Sequence, residues 1–236
     1  MKTIGLIGGM SWESSAEYYR LINLETKRRL GGHHNARSVM ATLDFAGVET
    51  LQHRGQWDEL GVMMADSARQ LERGGADCVV LCTNTMHKLA DCIRAAVRIP
   101  LLHIADAVGQ AIQAAGQRRV GLLGTKFTME EPFYAEHLAK RFGISAVTPD
   151  APGRQAVHDI IYDELCHGVI RPESRRRFQD VIEVLAGQGA ESVILGCTEI
   201  GLLITQADSV LPVHDSTGIH ACAAVEFALG GLTKAG

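Results

Sequence analysis

Two short polar stretches end apolar runs of the sequence and hold the side chains best suited to acid–base chemistry. One is LCTNTMH at 81–87, and the other is GCTEIG at 196–201. Aligned on the apolar runs, the stretches place Thr83 opposite Cys197, with Cys82 one position out of register. Because strand side chains alternate between faces, we expect Cys82 to point into a sheet–helix layer, away from the direction of Thr83. Only the second stretch therefore has a thiol in the shared position.

The chemistry that such a pair of groups suits is proton transfer at a carbon beside a carboxylate. A thiol has a pKa of about 8.5, so both of its protonation states are accessible near neutral pH. One group would remove the α-proton, and the other would return a proton to the opposite face, which inverts the carbon. We also expect a helix to begin at each stretch, where free N–H groups bind an anion and lower the pKa of a thiol. Asn84, Thr85 and Thr198 would cap these helices or hold the anion.

The elements that must position these groups are strands and helices in regular alternation. Apolar runs predict strands at 3–7, 38–43, 77–82, 100–103, 119–123, 144–148, 192–196 and 211–214. Helical periods fall near 13–30, 57–73, 86–97, 104–115, 130–142, 153–168, 172–187, 199–205 and 217–231. This alternation is typical of an α/β fold with parallel sheets covered on both faces. Ligands of such sheets bind beyond the carboxyl ends of the strands, which is where both polar stretches lie.

The sequence also repeats itself at a nearly constant distance. IGLIGG at 4–9 matches VGLLGT at 120–125, GADCVVLCTN at 75–84 matches GAESVILGCT at 189–198, and IPLLH at 99–103 matches LPVHD at 211–215. Three matches in the same order favour a duplication over chance similarity of apolar runs. We therefore predict two similar α/β parallel-sheet halves, 1–110 and 111–216, related by pseudo-two-fold symmetry with an active site between them. The last segment, 217–236, would fold back onto the first half.

Composition limits the possible partners. Hydrophobic residues make up 46% and charged residues 21% of the 236 residues, and the formal net charge is -4. This balance is that of an ordinary globular protein and argues against nucleic-acid binding. No apolar run approaches the roughly 18 residues of a membrane helix, and the N-terminus reads as a strand followed by a glycine turn. The cysteines have no CxxC pairing, so we expect reduced thiols in a cytoplasmic protein without a membrane partner.

No cofactor is predicted from the motifs. The glycines of GLIGGM do not follow the dinucleotide-binding pattern G-x-G-x-x-G. No His, Cys or Asp set has the spacing of a metal site, and no lysine motif of a pyridoxal enzyme stands out. A carbanion would then have to be stabilised by oriented amides and tight geometry alone.

These motifs together resemble those of the aspartate/glutamate racemase family of cofactor-independent amino-acid racemases. The resemblance rests on GLIGGMSWESSAEYY, LCTNTMHK, IYDELCHG and GCTEIGLL and covers the whole chain. It is strongest to the bacterial aspartate/glutamate racemases with a single-cysteine site. It implies two Rossmann-like halves and a homodimer that acts on a small acidic amino acid.

The resemblance also implies roles for individual residues. The family pattern is C-N-T in the first half and G-C-T in the second, with both cysteines catalytic; here Thr83 replaces the first cysteine and Cys197 is retained. Cys197 would act on the α-proton of the L-enantiomer, opposite Thr83. Substrate contacts carry over to Met10, Gln52, Asn84, Thr85, Thr125, Thr198 and Glu199. Arg54 competes with Gln52 on charge alone, and Glu199 would either tune the amine or cap a helix. Many family members have a lysine where this chain has His167.

Other functions fit the same pattern. A cysteine-dependent decarboxylase, isomerase or hydantoin racemase would need only one thiol on this scaffold. A catalytically degenerate ligand-binding protein would explain the missing first cysteine. Activity on a malonate-type acid would favour the former, and ligand-dependent melting without turnover would favour the latter.

Overall fold

A computed structural model of the chain describes residues 1–230. The strands are β1 (Ile4–Gly8), β2 (Ser38–Thr42), β3 (Cys78–Leu81), β4 (Leu101–Leu102), β5 (Arg119–Gly124), β6 (Ser145–Val147), β7 (Ser192–Gly196) and β8 (Val213–Asp215). Each of the eight predicted strands corresponds to one of these. All of their pairings are parallel.

The α-helices are α1 (Trp12–Leu30), α2 (Phe45–His53), α3 (Trp57–Arg73), α4 (Ala90–Ala96), α5 (Ile104–Ala114), α6 (Lys126–Glu130), α7 (Pro132–Phe142), α8 (Ala151–Asp163), α9 (Pro172–Gly187), α10 (Ile200–Leu203) and α11 (Ser216–Leu229). Short 3₁₀ helices cover Thr85–Leu89, Leu165–His167 and Gln206–Asp208. The last residue of the predicted helix 217–231 lies outside the described residues.

The strands form two sheets with the same topology. The first sheet has the order β2-β1-β3-β4 and the second has the order β6-β5-β7-β8. Their registers also agree: Ile4 lies beside Cys78 in the first sheet, as Val120 lies beside Ser192 in the second. These pairs are those that the sequence repeat aligns. The predicted α/β class with two similar Rossmann-like halves is confirmed.

Contacts divide the chain into two compact units. Within the described residues, the first unit contains Met1–His103 and 220–230, and the second contains Ile104–Ile219. The predicted boundary at residue 110 falls inside α5, which packs against α7 and β5 within the second unit. The C-terminal part of α11 packs on the first sheet, where Ala224 and Val225 share a core with Ile4.

Two helices were not predicted, because both are short and begin beside strands. Asp44 caps α2 by accepting a hydrogen bond from the Ala46 N–H, and Thr125 caps the five-residue α6 by accepting one from the Thr128 N–H. Such side-chain caps compensate for free amides at a helix start. Helices of this length have too few turns to give a readable apolar period.

Candidate active site

The loop after β1 is held in one conformation by glycine and serine. Gly9 has a φ of 87°, and a Cβ at this position would collide with the carbonyl oxygen of Leu43. The Gly9 N–H donates to Ser15 Oγ at 2.7 Å, and Ser11 caps α1. The side chain of Met10 packs in the core of the first unit. The polar groups that Met10 can offer a ligand are therefore those of its backbone.

The turn after β3 contains the first predicted catalytic position. Thr83, Asn84 and Thr85 are all buried, and the Thr83 N–H donates to the carbonyl oxygen of Leu81 at 2.9 Å. The segment that follows is a 3₁₀ helix, and its N-cap residue, Asn84, makes no side-chain capping hydrogen bond. A 3₁₀ helix that continues into α4 thus stands where the sequence predicts the start of an α-helix.

Cys82 lies in the core, as its register predicted. It is fully buried in the cluster that contains Ile4, Leu6 and Tyr18. Burial raises the pKa of its thiol far above the ordinary value. Cys82 is therefore an inert core residue and no substitute for the cysteine that Thr83 replaces.

Gln52 and Arg54 occupy opposite environments at the end of α2. The Gln52 side chain is buried, and its Nε2 lies 3.1 Å from Met86 Sδ in the cluster that also contains Met10. Arg54 is exposed. Gln52 is thus buried beside Met86, whereas the charge of Arg54 is in solvent. A role for Gln52 in binding stays a prediction.

Cys197 is hydrogen-bonded to a carboxylate at the end of β7. Its Sγ–H donates to Glu199 Oε2 at 2.9 Å, and Thr198 Oγ1 donates to the same oxygen at 2.8 Å. All three residues are buried. Glu199 makes no side-chain capping bond to α10. The carboxylate is therefore engaged with the thiol and not with the helix start.

The thiol of Cys197 is held in its neutral form. Burial, and after it the negative charge of Glu199, raises the pKa of Cys197 well above the ordinary value. The backbone N–H of Glu199, at the helix start, lowers this pKa as expected, but burial and the charge of Glu199 outweigh that effect. The physical reason is that α10 has only 4 residues, so its dipole is small beside the desolvation of the thiol.

The loop after β5 lies next to this thiol in the second sheet. Gly124 pairs with Gly196, the residue before Cys197. A Cβ on Gly124 would lie 2.7 Å from the Gly196 carbonyl oxygen, so the two strand ends approach closely only because both are glycine. Thr125 follows, and its Oγ1 caps α6 and lies 3.3 Å from Thr128 Oγ1. Thr125 is thus engaged in capping.

Lys126 and His158 lie near this loop, and neither was predicted from the sequence as a candidate site residue. The Lys126 N–H donates to His158 Nδ1 at 3.2 Å, and the Lys126 ammonium donates to Gln155 Oε1. Asp150 caps α8 as Asp44 caps α2. His158 follows Asp150 at the same distance along the chain as Gln52 follows Asp44, so His158 and Gln52 occupy corresponding positions of the two halves. The matched caps were the signal that could have found His158.

The structure therefore groups the predicted site residues into two half-sites at the carboxyl ends of the central strands. The first half-site, in the first unit, contains Met10, Gln52, Thr83, Asn84 and Thr85, and the second, in the second unit, contains Thr125, Cys197, Thr198 and Glu199. Within residues 1–230, no cluster of three or more His, Cys, Asp or Glu side chains is arranged to hold a metal ion. In the same range, no helix is both long and apolar enough to cross a membrane.

The chain is similar to proteins described as amino-acid racemases. The sequence model of the Asp/Glu/Hydantoin racemase family matches residues 7–224. The structure of a candidate Asp/Glu racemase from Yersinia pestis is 48% identical, with 97% of this chain and 100% of that chain covered and a TM-score of 0.90. An aspartate racemase homologue from Pyrococcus horikoshii is 33% identical, with 97% and 99% covered and a TM-score of 0.82. The broad specificity amino-acid racemase RacX of Bacillus subtilis is 28% identical over 163 residues, 68% of each chain.

Proposed function

The chain belongs to the Asp/Glu/Hydantoin racemase family and is a racemase, and we propose that it interconverts the enantiomers of aspartate or glutamate without a cofactor. In this proposal Cys197 and Thr83 handle protons on opposite faces of the α-carbon. The observation that carries it is the hydrogen bond from the Cys197 thiol to Glu199 Oε2. A buried neutral thiol becomes a base only if a nearby group accepts its proton, and Glu199 is such a group.

The reaction from the L-enantiomer consists of activation of the thiol followed by two proton transfers at the α-carbon. Glu199 first accepts the thiol proton of Cys197, and the thiolate then removes the α-proton of the substrate. The electron pair of the C–H bond passes into the substrate carboxylate as an enediolate. Thr83 Oγ then donates its proton to the opposite face of the carbon. Its hydroxyl is a far weaker acid than a thiol, so the Thr83 oxygen must regain a proton from solvent as it gives one up. Glu199 releases the former thiol proton to solvent, which restores the starting state because Cys197 keeps the α-proton.

The polar backbone around the two groups supports binding of the substrate carboxylate. Asn84, Thr85 and Thr198 are buried and follow the ends of the central strands β3 and β7. In a site from which water is excluded, oriented N–H and O–H groups stabilise a developing enediolate strongly. The proposal requires both half-sites to act on one substrate molecule, as the sequence predicts for a site between the two halves.

An acidic substrate is supported by polar groups near each half-site. Gln52 Nε2 is a buried amide donor in the first unit. Lys126 makes no ion pair with any described residue and bonds to the neutral oxygen of Gln155. Its ammonium is thus available to the second carboxylate of aspartate or glutamate. Lys126→Gln is expected to raise KM for acidic amino acids about tenfold and to leave KM for neutral ones unchanged, as steady-state kinetics would test.

The proposed function is tested by ¹H NMR of each enantiomer of aspartate and glutamate in D₂O, paired with chiral chromatography. Loss of the L α-proton signal with appearance of the D-enantiomer is the expected result. Exchange of the L α-proton without inversion would restrict the function to the Cys197 half-site. No exchange with any of these substrates, together with activity on a malonate-type acid or hydantoin, would replace the proposal with one of those reactions.

Two further proposals concern assembly and location. We propose a homodimer in the cytoplasm. Trp12 and Tyr19 lie two turns apart on α1 and are 68% and 52% exposed, an apolar face that self-association would cover. Light scattering coupled to size-exclusion chromatography would test the dimer.

A further inference from the structure

Three buried imidazoles and a tyrosine form a cluster in the first unit, behind the turn that contains Thr83. The members of this histidine cluster are His87, His103, His220 and Tyr18, and none is more than 6% exposed. The ring centroids of His87 and His103 are 4.5 Å apart, and those of His87 and His220 are 5.9 Å apart. Buried histidines are rarely grouped without a structural or chemical reason, since each ring nitrogen needs a partner.

The hydrogen bonds of the cluster fix the tautomers of two rings. A carbonyl oxygen only accepts, so His87 Nδ1, which lies 2.7 Å from the Thr83 carbonyl oxygen, must bear a hydrogen. By the same argument His220 Nε2 donates to the Leu102 carbonyl oxygen at 2.8 Å. His220 Nδ1 then accepts from the Tyr18 hydroxyl, also at 2.8 Å. Burial lowers the pKa of His220 to about 4, so this neutral form persists at physiological pH.

His87 contacts the turn at two points. Its ring donates to the Thr83 carbonyl oxygen, and its backbone N–H donates to the Asn84 carbonyl oxygen at 3.0 Å. The ring itself is packed against His103 and His220. His220 is in turn anchored to β4 through Leu102 and to α1 through Tyr18. The orientation of the Thr83 turn is thus tied to two elements of the sheet–helix layer.

The second unit has no such cluster. The sequence repeat places Gly201 opposite His87, Asp215 opposite His103, and Val108 opposite His220. The structure agrees with this alignment. A Cβ on Gly201 would lie 3.6 Å from Asp215 Oδ1, and the rings at the corresponding positions of the first unit, His87 and His103, also pack against each other. Tyr134, which is opposite Tyr18, has a buried hydroxyl without a hydrogen-bond partner among the described residues. The cluster therefore belongs to the hydroxyl half-site alone.

We propose that His87, held by the histidine cluster, is a positioning residue that orients Thr83 for proton donation. This rests on the proposed function. A hydroxyl is a weaker acid than a thiol and has less driving force for proton donation, so misalignment of the donor with the carbanion would slow an already slow step. Cys197 needs no equivalent support, because Glu199 accepts its proton directly. His87 acts through the backbone of the turn and does not touch the substrate.

The test compares three variants of the full chain. His87→Leu removes the donor at similar volume, and His87→Asn keeps an N–H donor near the position of Nδ1. His214→Leu is the matched control: His214 lies in the second unit, its Nε2 is 2.7 Å from Gln117 Oε1, and the first half has Leu102 at the equivalent position. Each variant is assayed for inversion in both directions and for α-proton exchange of the L-enantiomer in D₂O.

His87→Leu is expected to lower inversion about tenfold or more and to leave L-enantiomer exchange by Cys197 within about twofold. His87→Asn should recover most of the inversion, and His214→Leu should change neither rate. Equal loss of exchange and inversion in His87→Leu would overturn the proposal, because a misfolded site affects both half-sites. Unchanged inversion would also overturn it.

A second measurement does not depend on activity. Long-range ¹H–¹⁵N spectra of labelled histidine should show the Nδ1–H tautomer for His87 and the Nε2–H tautomer for His220. Finding the Nε2–H tautomer at His87 would contradict the bond to Thr83 and sink the positioning role. If the wild type shows neither exchange nor inversion while the tautomers are as expected, the proposed function fails and the geometry of the turn stands.

Discussion

The two half-sites share one backbone plan and differ in the chemistry around the reacting group. In the second, the thiol of Cys197 donates to a carboxylate two residues away along the chain, at 2.9 Å. In the first, Thr83 has no carboxylate at that distance along the chain, since Thr85 stands opposite Glu199. Its turn is bound instead by the ring of His87.

Under the proposed function, this difference shows how a duplicated fold can divide a symmetric reaction unequally. A thiol needs a proton acceptor and can find it locally, so the second half-site is self-contained within a few residues. A hydroxyl cannot be tuned to the same extent, and what surrounds it is a packed scaffold built from α1, β4 and α11. Because the two enantiomers have equal free energy, a racemase must have equal kcat/KM in both directions. The asymmetry of the half-sites can therefore appear only as different individual values of kcat and of KM for the two enantiomers.

The largest expected effect is the loss of the thiol. Cys197→Ala should lower both inversion and L-enantiomer α-proton exchange by about 10³-fold or more, because the base of that half-site is removed. NMR exchange in D₂O measures the loss. Survival of full exchange would refute the assignment of Cys197 as the base.

Glu199→Gln should separate the two effects of the carboxylate. The charge of Glu199 raises the pKa of Cys197, so the variant should have a lower thiol pKa, still raised by burial, and should react faster with iodoacetamide at a given pH. Its turnover should nevertheless fall about 100-fold, because the proton acceptor is lost. Turnover that rises with the alkylation rate would mean that Glu199 acts through its charge alone.

Thr83→Cys should make the half-sites more alike. A thiol is a stronger acid and a better base than a hydroxyl, so inversion is expected to rise about tenfold. Chiral chromatography of both directions gives the measurement. Cys82→Ala is the matched control and should leave inversion unchanged, since Cys82 is buried in the core. A large loss in that control would show that Cys82, and not Thr83, is in the functional register.

The last prediction concerns stability and the histidine cluster, and no change in catalysis. The pKa of His220 is about 4 in the folded protein, against about 6.5 in an unfolded chain. The unfolded state therefore binds the proton first, so this group's stabilising contribution is full above pH 6.5 and is lost as pH falls toward 4. Between pH 6.5 and pH 4 this group should cost the wild type about 3 kcal/mol of its free energy of unfolding. His220→Val, which copies Val108 of the second unit, should not show this decrease. Urea unfolding at several pH values tests this, and an identical acid slope in both proteins would contradict it.

Much of the fold could be read from the sequence because apolar periods and repeats are local signals. All eight strands and the shared topology of the halves follow from them. The short helices α2 and α6 could not, because their starts are decided by single side-chain caps. The pKa of Cys197 was misjudged for a related reason: the length of α10 and the burial of the thiol are properties of the packed chain.

The sequence by itself determined the family, the presence of two similar sheets and the alignment in which Thr83 corresponds to Cys197. All three depend on residue order alone. The tertiary structure decided which groups surround them. It turned the Glu199 carboxylate onto the thiol, and it brought His220 from the far end of the chain to Tyr18 and Leu102. These contacts join residues with no local pattern between them, and only the packing of α11 on the first sheet could bring His220 there.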